Sequence, residues 1–135
     1  MELQYSVTVR NAQLDAVETT VGTAPLLRIY SGSAPANCAA AASGTLLAEA
    51  TLPSDWMAAA SSGSKALSGT WQDASANATG TAAHWRLYDS GGTTCHAQGT
   101  VTATGGGGDM TLDNTSIASA QSVTITSFTI TAGNA

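Results

Sequence analysis

The sequence predicts a mainly β fold: an antiparallel β-sandwich or jelly-roll-like barrel with one short N-terminal helix. Three observations point there. Short runs with β-branched and aromatic residues recur along the chain, several with apolar and polar positions alternating. Gly, Asn and Ser punctuate the gaps between these runs. Only one stretch, near the N-terminus, has helical spacing instead. A chain of 135 residues fits one domain, with the helix over about 7–21 and a β-rich body over 26–135.

The helix comes first. Val7, Leu14, Val17 and Val21 fall on one stripe at helical spacing, with Asp15 and Glu18 off it. Ser6 is placed to cap the start. Gly22 can take the left-handed position after the last turn, and Pro25 forbids continuation. "YSVTV" alternates as a strand would, but from about Val9 onward the helical pattern prevails. Next, "PLLRIYSG" reads as a strand and turn, "SAPANCAAAASG" as a small-residue loop, and "TLLAEATLP" as a strand stopped by Pro53. "SDWMAAASSGSKALSGTWQD" is irregular, with a strand ending near Trp71, and "ASANATGT" is a loop. "AAHWRLYDS" and "TTCHAQGTVTAT" are two strands around a Gly-Gly turn. Gly105 to Gly108 read as a flexible connection, "DMTLDN" as a short strand, and "QSVTITSFTIT" as one long closing strand. "LRIYSG" echoes "WRLYDSG", which suggests equivalent strands in facing sheets that would bring Cys38 and Cys95 together.

The stretch "HWRLYDSGGTTCHAQG" holds most of the reactive side chains. Strand alternation puts His84, Arg86 and Tyr88 on one face and Trp85 and Leu87 on the other. Across the turn, Cys95, Ala97 and Val101 continue the apolar face, while His96, Gln98 and Thr100 join the polar one. The expected core is thus Trp85, Leu87, Cys95 and Val101. The expected wet interaction face is His84, Arg86, Tyr88, His96 and Gln98, with the two histidines near each other.

No catalytic, cofactor or metal residues emerge. Cys95 and His96 are neighbours on a strand and point apart, so they make no nucleophile–base pair. His84, His96 and Asp89 fall short of a zinc ligand set. Asp55, Asp73, Asp89, Asp109 and Asp113 sit beside turn residues, where Asp bonds local backbone, and nothing selects a glycosidase pair among them. The tetraglycine lacks the Lys and Ser/Thr of a phosphate loop. A saccharide platform of Tyr88, His84, Arg86 and Gln98, flanked by Trp56 and Trp71, competes with a plain core role for the tryptophans, and in so aromatic-poor a chain the core role is favoured.

Composition narrows the partners. Net charge is −5, and the fixed cations are Arg10, Arg28, Lys65 and Arg86. Four scattered cations make no basic patch, so neither nucleic acid nor an anionic membrane surface is an expected partner. No run is long and apolar enough for a membrane-spanning helix, and the N-terminus lacks a leader pattern, so the protein reads as made in the cytosol or as lacking its leader. A reduced Cys38 and Cys95 are the default there, with one disulfide open if the fold joins them. Charged residues are only 10% of the chain, so Ser, Thr, Asn, Gln and Gly must cover the surface. Such a surface suits packing against other subunits.

"VRNAQLDAVETTVGTAP", "LRIYSGSAPANCAAA", "LPSDWMAAASSGSKALSGTW", "GTTCHAQGTV" and "GGGGDMTLDNTSIASAQSVTITSFTITAGNA" are similar to small virion structural proteins of tailed bacteriophages and prophages. The resemblance covers nearly the whole chain. It implies a virion component made in the bacterial host cytoplasm, and no enzyme. Among virion roles a capsid decoration (cement) protein is expected, bridging subunits of the major capsid protein and self-associating as a dimer or trimer. The alternative is a tail-tip or fibre module that recognises host glycan.

Overall fold

A computed structural model describes residues 2–135. The chain is mainly β and antiparallel-rich, with one short N-terminal helix. The helix α1 spans Val7–Val21. Ser6 caps it by accepting a hydrogen bond from the Val9 N–H at 3.2 Å. Gly22 ends it at φ +92°, a conformation that favours glycine, and its N–H donates to the Glu18 carbonyl. No helix among the described residues is long and apolar enough to cross a membrane.

Eleven strands follow: β1 (Leu26–Tyr30), β2 (Leu46–Thr51), β3 (Ser64–Ala66), β4 (Trp71–Asp73), β5 (Gly80–Thr81), β6 (His84–Tyr88), β7 (Cys95–Ala103), β8 (Met110–Leu112), β9 (Ser116–Ile117), β10 (Val123–Ile125) and β11 (Thr129–Thr131). Five of them form one sheet in the order β2-β1-β6-β7-β8. The others pair in twos, as β10-β4, β11-β3 and β5-β9. The core includes Leu27, Ile29, Ala48, Ala50, Trp85, Leu87 and Val101 from the large sheet, with Trp56, Trp71, Val123, Ile125 and Phe128. Phe128 joins the layers: its ring lies 5.5 Å from Trp71 and 5.4 Å, edge-on, from Trp85.

Several expectations are corrected here. The two echoing segments do not lie in facing sheets. β1 and β6 are antiparallel neighbours, with Leu27 opposite Leu87 and Arg28 opposite Arg86. The closing strand is two strands. The apolar phase runs through Val123 and Ile125, then slips by one residue to Phe128 and Ile130, so the chain leaves β4 and rejoins the fold at β3. The tetraglycine is a packed return and no loose linker. β8 runs parallel to β7, Val101 facing Met110, so the chain must double back within a few residues. Parallel strands ordinarily need a crossover of a dozen residues or more. Here Gly106 and Gly108 pass so close to Thr102 that a Cβ on either would fall within 2.9 Å of its side chain. The Gly108 N–H also donates to Thr102 Oγ1 at 3.0 Å.

Helix α1 is likewise not seated by an apolar stripe. Leu14 and Val21 are buried, but Val7 and Val17 are exposed. Its attachment is polar. Asn11 accepts from the Gly63 N–H, Asp15 from the Ala60 N–H, and Glu18 from the Met57 N–H. Between the two carboxylates lies the ammonium of Lys65, 2.7 Å from Asp15 and 2.9 Å from Glu18. The Trp56 indole N–H closes the seam on the Gly22 carbonyl.

Candidate functional site

The densest group of reactive side chains lies on the second face of the large sheet, under the 33–44 loop. Strand alternation carries Tyr30, His84, Arg86 and Tyr88 to this face, opposite Ile29, Trp85 and Leu87. The loop is pinned where it leaves and rejoins the sheet. Ser31 N–H donates to the Thr45 carbonyl, Thr45 N–H donates to Ser31 Oγ, and Ser43 donates to the Ser33 carbonyl. Gly44, at φ +76°, is obligatory at the closure, because a Cβ would collide with the Ser31 carbonyl.

The expected wet face is therefore covered. His84 and Arg86 are each 1% exposed, and Tyr88 is buried too. The loop supplies part of what buried polar groups require, leaving Arg86 Nη1, His84 Nε2 and Gln98 Oε1 without a hydrogen-bond partner among the described residues. Arg86 Nη2 donates to the carbonyls of Cys38 and Ala40 at 2.8 and 2.9 Å. His84 Nδ1 donates to the Gly32 carbonyl at 2.7 Å, and its ring stacks on Tyr30 at 5.2 Å. Gln98 donates to the Pro35 carbonyl. The Tyr88 ring lies between the two arginines, 4.5 Å from the Arg28 guanidinium carbon and 5.5 Å from that of Arg86. Arg28 and Arg86 face each other across β1 and β6, a repulsive pairing if both were bare. Arg28 is neutralised by Glu49 at 2.6 Å. Arg86 has no carboxylate ion pair among the described residues, and its charge meets carbonyls, an aromatic face and sulfur. Burial, followed by a hydrogen bond with Tyr88, pushes the Tyr30 phenol up to about 12.

A bulge moves Cys95 away from its expected place in the core. Leu87 pairs with Ala97 but Tyr88 pairs with Cys95, so His96 is an extra residue on β7. The extra residue flips Cys95 to the Arg86 face, where it is half-buried and its Sγ accepts from Arg86 Nε at 3.3 Å. It also separates the histidines. His84 is tied to Gly32 beneath the loop, whereas His96 lines a shallow cleft with Val17 and Val21 of α1. Trp85, Leu87 and Val101 are in the core, and Trp56 and Trp71 are buried there as well.

The thiols, histidines and carboxylates around this face make separate contacts. Arg86 and Cys95 are joined, but neither histidine is hydrogen-bonded to the thiol. The carboxylates nearby serve turns: Asp89 accepts from the Thr93 and Thr94 N–H groups, which hold its carboxyl below the usual range. Asp109 accepts from Thr100, and Asp73 from Ser75 and Glu49. Among the described residues no three His, Cys, Asp or Glu side chains converge as a metal site. Sequence alternation located the polar stripe but missed its lid. The lid's Ala-rich composition signals a loop, and nothing in it states that its carbonyls will turn inward to an arginine.

No protein-family model, curated protein or solved structure matches the chain.

Proposed function

We propose that the chain is a virion structural protein of a tailed bacteriophage, a capsid decoration protein that stabilises the head by bridging capsid subunits. The observation that carries this reading is the outward face of α1. Among the described residues, Leu3, Val7, Val9 and Val17 are the exposed large hydrophobics, at 64%, 44%, 41% and 37%. All four lie on the N-terminal arm and helix. Val9, Gln13, Ala16, Val17 and Thr20 make one exposed helix face with no carboxylate, lysine or arginine of its own, bordered by His96, because Asp15 and Glu18 turn to Lys65 and Arg10 lies against Gly63. Exposed apolar residues gathered on one element mark a contact surface. The glycan-binding alternative has lost its platform, since Tyr88, His84 and Arg86 lie under the loop and Trp56 and Trp71 are in the core.

The test is made on particles. The protein should be present in many copies on purified phage heads. Particles lacking it should release DNA at lower temperature and under milder osmotic shock. Absence from purified particles, or equal stability with and without it, overturns the decoration role.

A further inference from the structure

We infer that Cys38 and Cys95 are a redox pair, two thiols that join as a disulfide in an oxidising medium and staple the 33–44 loop to β7. Both cysteines are free thiols here, and each is half-buried. Cys38 and Cys95 line one cleft under the loop, where the Cys95 thiol donates to the Ala97 carbonyl at 3.4 Å. Arg86 bridges the pair: its Nε donates to Cys95 Sγ while its Nη2 donates to the Cys38 carbonyl. The bulge at His96 and the pinned loop thus bring the Cys95 sulfur and the Cys38 backbone to one guanidinium, from segments far apart in sequence. A cavity of about 230 Å³, lined by both cysteines, Arg86, Thr93 and the alanines of the loop, adjoins them.

The two sulfurs are not equivalent. Burial, then contact with Cys95, pushes the Cys38 thiol up. Cys95 is the one whose sulfur accepts from the guanidinium, which holds it in a fixed position at the mouth of the cleft. With a low-molecular-weight disulfide such as oxidised glutathione, Cys95 loses its proton to solvent and attacks one glutathione sulfur. This forms a mixed disulfide and expels one glutathione thiolate. Cys38 then loses its proton and attacks Cys95 Sγ, which expels the second glutathione. Two protein S–H bonds are replaced by one S–S bond, and the glutathione disulfide takes the two electrons. In a reducing compartment the pair stays open.

The experiment uses the whole protein, purified reduced and then equilibrated with oxidised glutathione. Both thiols should disappear from thiol titration, and peptide mapping should join the Cys38 and Cys95 peptides within one chain. The melting temperature should rise by about 5–10 °C and fall back on reduction. Cys38→Ser should leave Cys95 to form a stable mixed disulfide with glutathione, with no such rise. In thiol-reagent kinetics, Cys95 in Cys38→Ser should react faster than Cys38 in Cys95→Ser. Two thiols that still titrate after equilibration with an excess of oxidised glutathione overturn the inference. So do disulfides found only between chains. The main readout compares two states of the wild-type chain, so it does not depend on a variant folding.

Discussion

Lys65 is 1% exposed, a position that lysine occupies only when its charge is met. Burial pulls its ammonium down, but hydrogen bonds and charge from Asp15 and Glu18 outweigh this and raise it above the ordinary 10.5. Asp15 is held below the ordinary 3.8, first by Lys65 and then by the Ala60 N–H. The signs follow by linkage. A lowered carboxyl contributes stability above its unfolded value and loses it as pH falls through the folded value. A raised ammonium contributes below its unfolded value and loses it as pH rises through the folded value. The seam should therefore hold best between about pH 4 and pH 10. Replacing both acids, Asp15→Asn with Glu18→Gln, strands a buried ammonium and should lower the melting temperature. Thermal unfolding across pH should show that loss at neutrality, and the gap to wild type should close at the acid end. A gap that persists unchanged well below pH 4 would mean that the carboxylates act there by shape and not by charge.

At the scale of elements, the β7–β8 return is the feature least expected of an antiparallel fold, and it depends on missing side chains. A Cβ on Gly108 would stand 2.9 Å from Thr102 Cγ2 and 3.0 Å from the Thr102 nitrogen. Gly108→Ala should cost about 1–3 kcal/mol, as overpacking does. Gly133→Ala, where a Cβ meets nothing within 4 Å, serves as the neutral control. Chemical denaturation checks both, and a fully stable Gly108→Ala would show that the return is slack. The same elements show what a sequence reveals. Ser6, Gly22 and the Gly91-Gly92 turn are local signals, each acting on its own few residues, and helix α1 and the β6–β7 hairpin were legible from them. The split between β10 and β11 was legible too, in the slip of apolar phase from Ile125 to Phe128, but that phase has to be counted to be seen. The bulge at His96 leaves no mark, because Cys, His and Ala alternate acceptably in either register. The burial of His84 and Arg86 was illegible for a different reason. Strand alternation shows only that two faces differ, and a polar face reads as wet until a loop from elsewhere in the chain covers it.

For the whole molecule, the question is what the outward side of α1 can hold. A helix of 15 residues is roughly 22 Å long, and one face of it offers well under the 800 Å² or so per partner of a standard interface. The N-terminal arm with Leu3 enlarges the surface but does not double it. Self-association through this face alone should therefore be weak and concentration-dependent, whereas many copies fixed on a lattice would add such contacts together. Charge works in the same direction. A chain of net charge −5 repels its own copies, and a face without carboxylates is where two of them can meet at least cost. Val9→Glu with Val17→Glu puts two like charges on that face at exposed positions that contribute nothing to the core. Sedimentation equilibrium should show the wild-type chain shifting toward a dimer or trimer as concentration rises, and the double variant remaining monomeric. The melting temperature of the dilute monomer should be the same for both. If the variant associates like wild type, copies meet through another surface and the neutral helix face must serve a different partner. If its monomer is markedly less stable, those valines are part of the fold itself, and the contact surface must be sought elsewhere.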